Sequence, residues 1–297
     1  MAEYISRLVP KPSQSFFLFG PRGTGKTTWV RHEFPAAHTI NLLDESPYQT
    51  YLADVSRFAG EPGALPDESW IFVDEIQRLP NLLNEVHRFI GEKHHRFILT
   101  ASSARELKRA DVNLLAVRAL LRRMHPFAPM ELRQGFDLEE VLLWGSIPLV
   151  WSSGDKKETF KAYVQMYLKE EIKAEVGRTT FNGYLEILED TLLAFRLPTF
   201  EAKLRLRERK HPKLYWIDPG LVRAAGNRYG ELHPQERGVL FEGLIASVLR
   251  ACRDLKGIGK RILVYLGDRT MKTSDGIDVW SFARFVDNLD VENLWGL

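Results

Sequence analysis

Three glycines, a lysine and three threonines are crowded into GPRGTGKTT at residues 20–28, and the first eight residues fit the spacing G-x-x-x-x-G-K-[ST]. Those residue types suit the handling of a polyphosphate. Crowded phosphate oxygens must be met by backbone N–H groups, and Gly20, Gly23 and Gly25 remove the side chains that would obstruct them. Pro21, Arg22 and Thr24 complete the loop. Lys26 can reach the β and γ oxygens, Thr27 can ligate Mg²⁺, and Thr28 continues a helix whose positive end faces the phosphates.

A second chemical pair follows 48 residues after Lys26, where the apolar run WIFV ends in Asp74 and Glu75. Taken alone, a strand edge ending in solvated acids would explain it. With a helix and a strand between it and the loop, Asp74 is expected in the Mg²⁺ shell and Glu75 as the base that polarises an attacking water. Thr100, Ser102 and Ser103 close a later apolar run, RFILT. Ser102 is the preferred one of the three to sense a γ-phosphate or position water; an N-cap or turn hydroxyl is the alternative for each.

These residues need a scaffold that brings strand ends together. FFLF before the loop reads as a buried strand, residues 26–34 as a helix, 38–43 as a strand, and 44–59 as a polar turn and short helix. Residues 60–66 read as a loop, and 81–93 carry Leu82, Leu83, Val86, Phe89 and Ile90 at helical spacing. Alternating strands and helices predict an α/β fold. Its parallel-sheet P-loop core has helices on both faces and ligands at the carboxyl ends of the strands.

The remainder is read more coarsely. Residues 121–129, LRRMHPFAP, form the expected boundary between a domain at 1–128 and a smaller, mostly helical α+β region at 129–297. In that region 138–143, 158–176 and 239–252 read as helices and LYWI at 214–217 as a strand. Asp218 and Pro219 suit the N-cap and first position of the next helix. Glu170 and Glu171 read as a solvated helix face. The basic run KLRLRERKHPK at 203–213 reads as an edge strand or a sequence-independent contact to nucleic acid.

With 44% hydrophobic and 27% charged residues, the composition is that of a globular chain with a sizeable core, and a net charge of +2 confines any basic surface to a local patch. The one cysteine, Cys252, excludes an internal disulfide and fits a packed helix position. No uncharged apolar run reaches membrane-spanning length, and the N-terminus lacks a signal-like apolar core. A cytoplasmic protein without a membrane partner is expected.

Taken together, GPRGTGKTT, VDEIQRLPNLLNEVHRFI (73–90), FILTASSARELKRADVNLLAVRAL (97–120), YVQMYLKEEIKAEV (163–176) and YLEILEDTLLAFRLP (184–198) resemble a prokaryotic family of AAA-type ATPases with a C-terminal domain of unknown function. The resemblance implies an AAA-like core of the ASCE class that binds ATP and Mg²⁺, a homo-oligomer, and an arginine supplied in trans. Arg118 is the preferred finger and Arg105 the second choice. ATP over GTP follows from the resemblance and from the lack of an N-K-x-D motif.

The chain also departs from that pattern. Ala101 and Val117 stand where the family has glycine, so strain is expected there if either position needs positive φ or a close backbone approach. Two family segments are shortened, a winged-helix-like unit near 177–180 and a nuclease-like stretch after residue 253. Asp268, Asp275 and Asp278 then read as loop acids, and nucleic-acid binding as weak or absent. Three functions stay open: an ATPase, a nucleotide-dependent binding or regulatory module with an unidentified protein partner, and, less favoured, a P-loop kinase.

Overall fold

The computed structural model describes residues 4–103, 119–168, 181–197, 212–251, 262–272 and 278–288. Arg105, Arg118, Val117, Glu170, Glu171, Cys252, Asp275 and the basic run up to residue 211 lie outside the described residues.

Five strands form one parallel sheet: β1 Phe16–Phe19, β2 His38–Asn41, β3 Trp70–Asp74, β4 Arg96–Ala101 and β5 Leu120–Arg123. Their order is β2-β3-β4-β1-β5. β1 has no solvent-facing side, which is why its sequence is unbroken FFLF rather than an alternation. Phe16 and Leu18 pack with Trp29, Val30 and Phe34 around helix α1 Lys26–Glu33. Phe17 and Phe19 face the opposite cluster, where Tyr51 of α2 Glu45–Ala53 meets Leu82, Leu83, Val86 and Phe89. Those four residues belong to helix α4 Leu82–Glu92 and line one of its sides.

Three local differences from the sequence expectations have physical causes. The helix after β2 stops at Asp54, whose carboxylate caps a new 3₁₀ turn at Val55–Ala59 by accepting the Ser56 N–H. Residues 60–66 are not a loop throughout, because Gly60–Ala64 forms a short helix, α3. The expected boundary at 121–129 begins inside the sheet, since β5 pairs in parallel with β1. β5 is an edge strand with two arginines, so it lacks the apolar run that marks the inner strands.

Helices dominate the part after β5. Pro129–Leu132, Leu138–Trp144, Pro148–Trp151, Lys156–Tyr163, Phe181–Asp190, Pro219–Ala225 and Pro234–Ala251 are helical, and a π-helical turn at Val164–Leu168 follows the fourth. Strands β6 Ala194–Leu197 and β7 Lys213–Trp216 pair antiparallel. Asp218 caps Pro219–Ala225 through the Leu221 N–H and also accepts the Ser146 N–H, which ties two helical segments together. A small sheet, β8 Ile262–Tyr265, β9 Met271–Lys272 and β10 Asp278–Ser281, runs through the stretch expected to be solvated turns. Asp278 thus opens a strand beside Ile262, while Asp268 stays exposed in the connection. Ile5 and Phe127 pack against the apolar cluster of this C-terminal part, so the two ends of the chain share a core.

Candidate active site

The carboxyl ends of β1, β3 and β4 meet at one rim of the sheet. β4 lies between the strand carrying the glycine-rich loop and the strand carrying the acids, so Asp74 faces the loop across Thr100. Thr27 Oγ1 donates to Asp74 Oδ2 at 2.8 Å, and Thr100 Oγ1 donates to Asp74 Oδ1. The hydroxyl of Thr100 also accepts the backbone N–H of Glu75 at 3.0 Å. One threonine therefore holds both acids.

Glu75 has left-handed backbone, φ 58° and ψ 49°, an uncommon conformation for a side chain of this size. The turn it makes returns the 3₁₀ segment Ile76–Arg78 toward the strand ends. Its carboxylate is buried, and Oε2 accepts from Ser102 Oγ at 3.0 Å and from Gln77 Nε2. Ser102, expected to sense or position, is thus bonded to the acid itself. Ser103 donates at 3.4 Å to the Asp190 carbonyl.

Lys26 is buried, and its ammonium donates to two carbonyls of its own loop, Gly20 O at 2.7 Å and Pro21 O at 3.2 Å. Burial holds that ammonium below the ordinary lysine range, against the opposing pull of Glu75 and Asp74. Gly20 is small for a reason other than phosphate access, because a Cβ there would stand 2.5 Å from the Met124 carbonyl of the chain leaving β5. Gly23 has φ 76°, and a Cβ on it would meet Leu149 Cβ at 2.8 Å. Thr24 turns its hydroxyl inward to the Pro21 carbonyl at 2.8 Å.

Three further partners grip the outer side of the loop, and none is signalled by a local motif. The Arg22 carbonyl accepts from Tyr163 Oη at 3.1 Å, that of Gly23 from the Leu149 N–H at 3.0 Å, and that of Thr24 from Arg7 at 2.7 Å. Arg7 also donates to Glu131 and to the His125 carbonyl, in an ion pair whose side chains are 5% and 4% exposed. Gln77 lies within the VDEIQRLP string without a role read from it. Ala101 sits in strand geometry, buried, and its carbonyl accepts the Gly20 N–H at 3.3 Å, so alanine brings no positive-φ strain.

The chemistry of the donors fits a small hard cation and a phosphate chain. A hydroxyl and a carboxylate oxygen stand 2.8 Å apart at the mouth of a helix N-terminus, with a lysine in the same loop. Among the described residues no group of three His, Cys, Asp or Glu could hold a metal ion.

Residues 12–133 match a family described as an AAA domain, and residues 169–231 match one described as a domain of unknown function (DUF8612). Uncharacterized proteins of Mycobacterium bovis and Mycobacterium tuberculosis are each 23% identical over 277 residues, covering 79% of this chain. The chain spans 62% of the length of those relatives. Among solved structures it is similar to a Signal Transduction ATPase with Numerous Domains that has a tetratricopeptide repeat sensor, from Pyrococcus horikoshii. That likeness has a TM-score of 0.29 at 15% identity and covers 80% of this chain and 43% of the other. AMPPCP-bound DnaA from Aquifex aeolicus gives a TM-score of 0.32 at 13% identity, with 82% and 81% covered. Among the described residues no helix is long and apolar enough to cross a membrane.

Proposed function

We propose that this chain, an AAA-type ATPase with a C-terminal domain of unknown function, hydrolyses ATP to ADP and phosphate. The observation that carries the reading is the continuous chain of hydrogen bonds from Thr27 through Asp74 and Thr100 to Glu75 and Ser102. It joins the phosphate loop to both acids without a gap.

In this reading the backbone N–H groups of residues 20–27 and the Lys26 ammonium hold the phosphates. Thr27 and Asp74 would hold Mg²⁺, which when bound offsets the charge developing on the phosphoryl oxygens. Glu75 takes a proton from the attacking water as the water oxygen bonds to the γ-phosphorus. The bond from that phosphorus to the bridging oxygen breaks, and ADP leaves. Lys26 must first give up the Gly20 and Pro21 carbonyls. We assign the protein to the cytoplasm, with a homo-oligomer completing the site through Arg118 and with nucleic acid bound weakly or not at all.

A nucleotide-dependent binding module with little turnover is the second reading, favoured by Lys26 resting on its own loop. One pair of variants separates the two. Lys26→Ala should lose ATP binding, whereas Glu75→Gln should keep it and lose turnover. A Glu75→Gln protein hydrolysing ATP at the wild-type rate removes Glu75 as the base, and a wild type that binds ATP without turnover leaves the second reading.

A further inference from the structure

Gln77 follows Glu75 by two residues, yet the left-handed turn at Glu75 brings its side chain back into the site, where it is 6% exposed. Its amide nitrogen donates to Glu75 Oε2 and, at 3.0 Å, to Ser102 Oγ. Ser102 donates to the same Glu75 Oε2 at 3.0 Å. Three side chains thus close a ring in which both donors converge on one carboxylate oxygen.

Such convergence has a chemical consequence. Two donors on one oxygen occupy Oε2 and fix the plane of the carboxylate, which leaves Oε1 as the oxygen to be aimed. Glu75 has its backbone N–H fixed by Thr100, and a long side chain fixed only at its base would still sample several rotamers. Gln77 and Ser102 supply the restraint at the far end. The carbonyl oxygen of the Gln77 amide is itself buried and receives no hydrogen bond from the described residues, a cost a purely structural amide would avoid by turning to solvent. An apolar residue of the same size would fill the turn without that cost.

We propose that Gln77 is the positioning residue for the catalytic carboxylate, acting through Glu75 to hold Oε1 toward the attacking water. The inference rests on the reading of Glu75 as the base. A general base must lie within hydrogen-bond reach of the proton it takes, and loss of orientation costs rate rather than binding.

The test is a double-mutant cycle between Gln77→Leu and Glu75→Gln, with kcat, KM for ATP and thermal unfolding measured on the same preparations. Gln77→Leu should lower kcat by about tenfold or more at a KM within about threefold of wild type. In the Glu75→Gln background it should cause no further loss, because the carboxylate through which it acts is gone. Gln77→Glu, which sets a second acid against the first, should lower kcat as well, and it carries the test if the leucine variant does not fold.

Three results overturn the proposal. Wild-type kcat in both Gln77 variants removes it alone when Glu75→Gln is inactive. An equal fold loss from Gln77→Leu in either background shows that Gln77 only supports the fold. Wild-type turnover by Glu75→Gln removes the reading of Glu75 and this inference together.

Discussion

Thr27 and Asp74 are bonded side chain to side chain at 2.8 Å, although they are 47 positions apart in the chain and one strand, β4, lies between the strands that lead to them. The bond places a hydroxyl at the start of α1 against a carboxylate at the end of β3. Asp74→Asn keeps the shape and the acceptor oxygen but removes the charge. ATP affinity measured with Mg²⁺ and with EDTA should then become nearly equal, whereas the wild type should bind more tightly with Mg²⁺. A variant that keeps the wild-type Mg²⁺ dependence places the cation elsewhere.

The outer contacts of the loop predict a graded pair of effects. Tyr163→Phe removes one hydroxyl from the Arg22 carbonyl, an interaction worth about 0.5–1.5 kcal/mol, so ATP affinity should fall by less than about tenfold. Gly23→Ala adds both a forced positive φ and a contact with Leu149, strain on the order of 1–3 kcal/mol. Its loss of affinity should exceed that of Tyr163→Phe. Fluorescent-nucleotide titration ranks the two, and the reverse order would mean that the outer contacts do not set the loop's shape.

Arg118, outside the described residues, is tested kinetically. If it reaches a neighbouring site, Arg118→Ala should cut turnover by about a thousandfold or more while ATP still binds. Specific activity of the wild type should also rise with protein concentration. An unaffected variant together with constant specific activity removes the finger.

Asp218 predicts a pH dependence of stability. Complete burial pushes its carboxyl up to about 6, although the N–H groups of Ser146 and Leu221 pull the other way. Because the folded pKa lies above the unfolded one, the folded state holds a proton that the unfolded state has released. The associated stability is present below the unfolded pKa and is lost as pH rises through about 6. His125, lowered to about 3 chiefly by burial and then by Arg250, Arg123 and Arg7, acts oppositely and loses stability as pH falls from its unfolded value. Denaturant titrations of wild type and Asp218→Asn isolate the first effect. The wild type should lose stability relative to the variant between pH 4 and pH 7, and a pH-independent difference refutes the assignment.

Much of this was legible in the chain, for local reasons. The loop, the acids and their strands are short strings whose residue types and spacing carry the chemistry, and four of the five core strands fall within runs read as strands, β2 inside HTINLL. β5 was hidden because an edge strand needs no second apolar face, and Leu120–Arg123 carries two cations. β9 and β10 were hidden because their ladder joins a polar stretch to β8. The grips on the loop were illegible for a different reason: Arg7 reaches Glu131 and Tyr163 reaches Arg22 across more than a hundred residues. No periodicity or motif encodes a contact of that range.

Lys26 gives the loop a latch of its own making. Its ammonium is committed to the Gly20 and Pro21 carbonyls, so an arriving nucleotide does not dock onto a waiting charge but competes for it. Competition of that kind lowers the apparent affinity and also shows in time. Once ATP is abundant, the observed association rate should level off at the rate at which the lysine lets go.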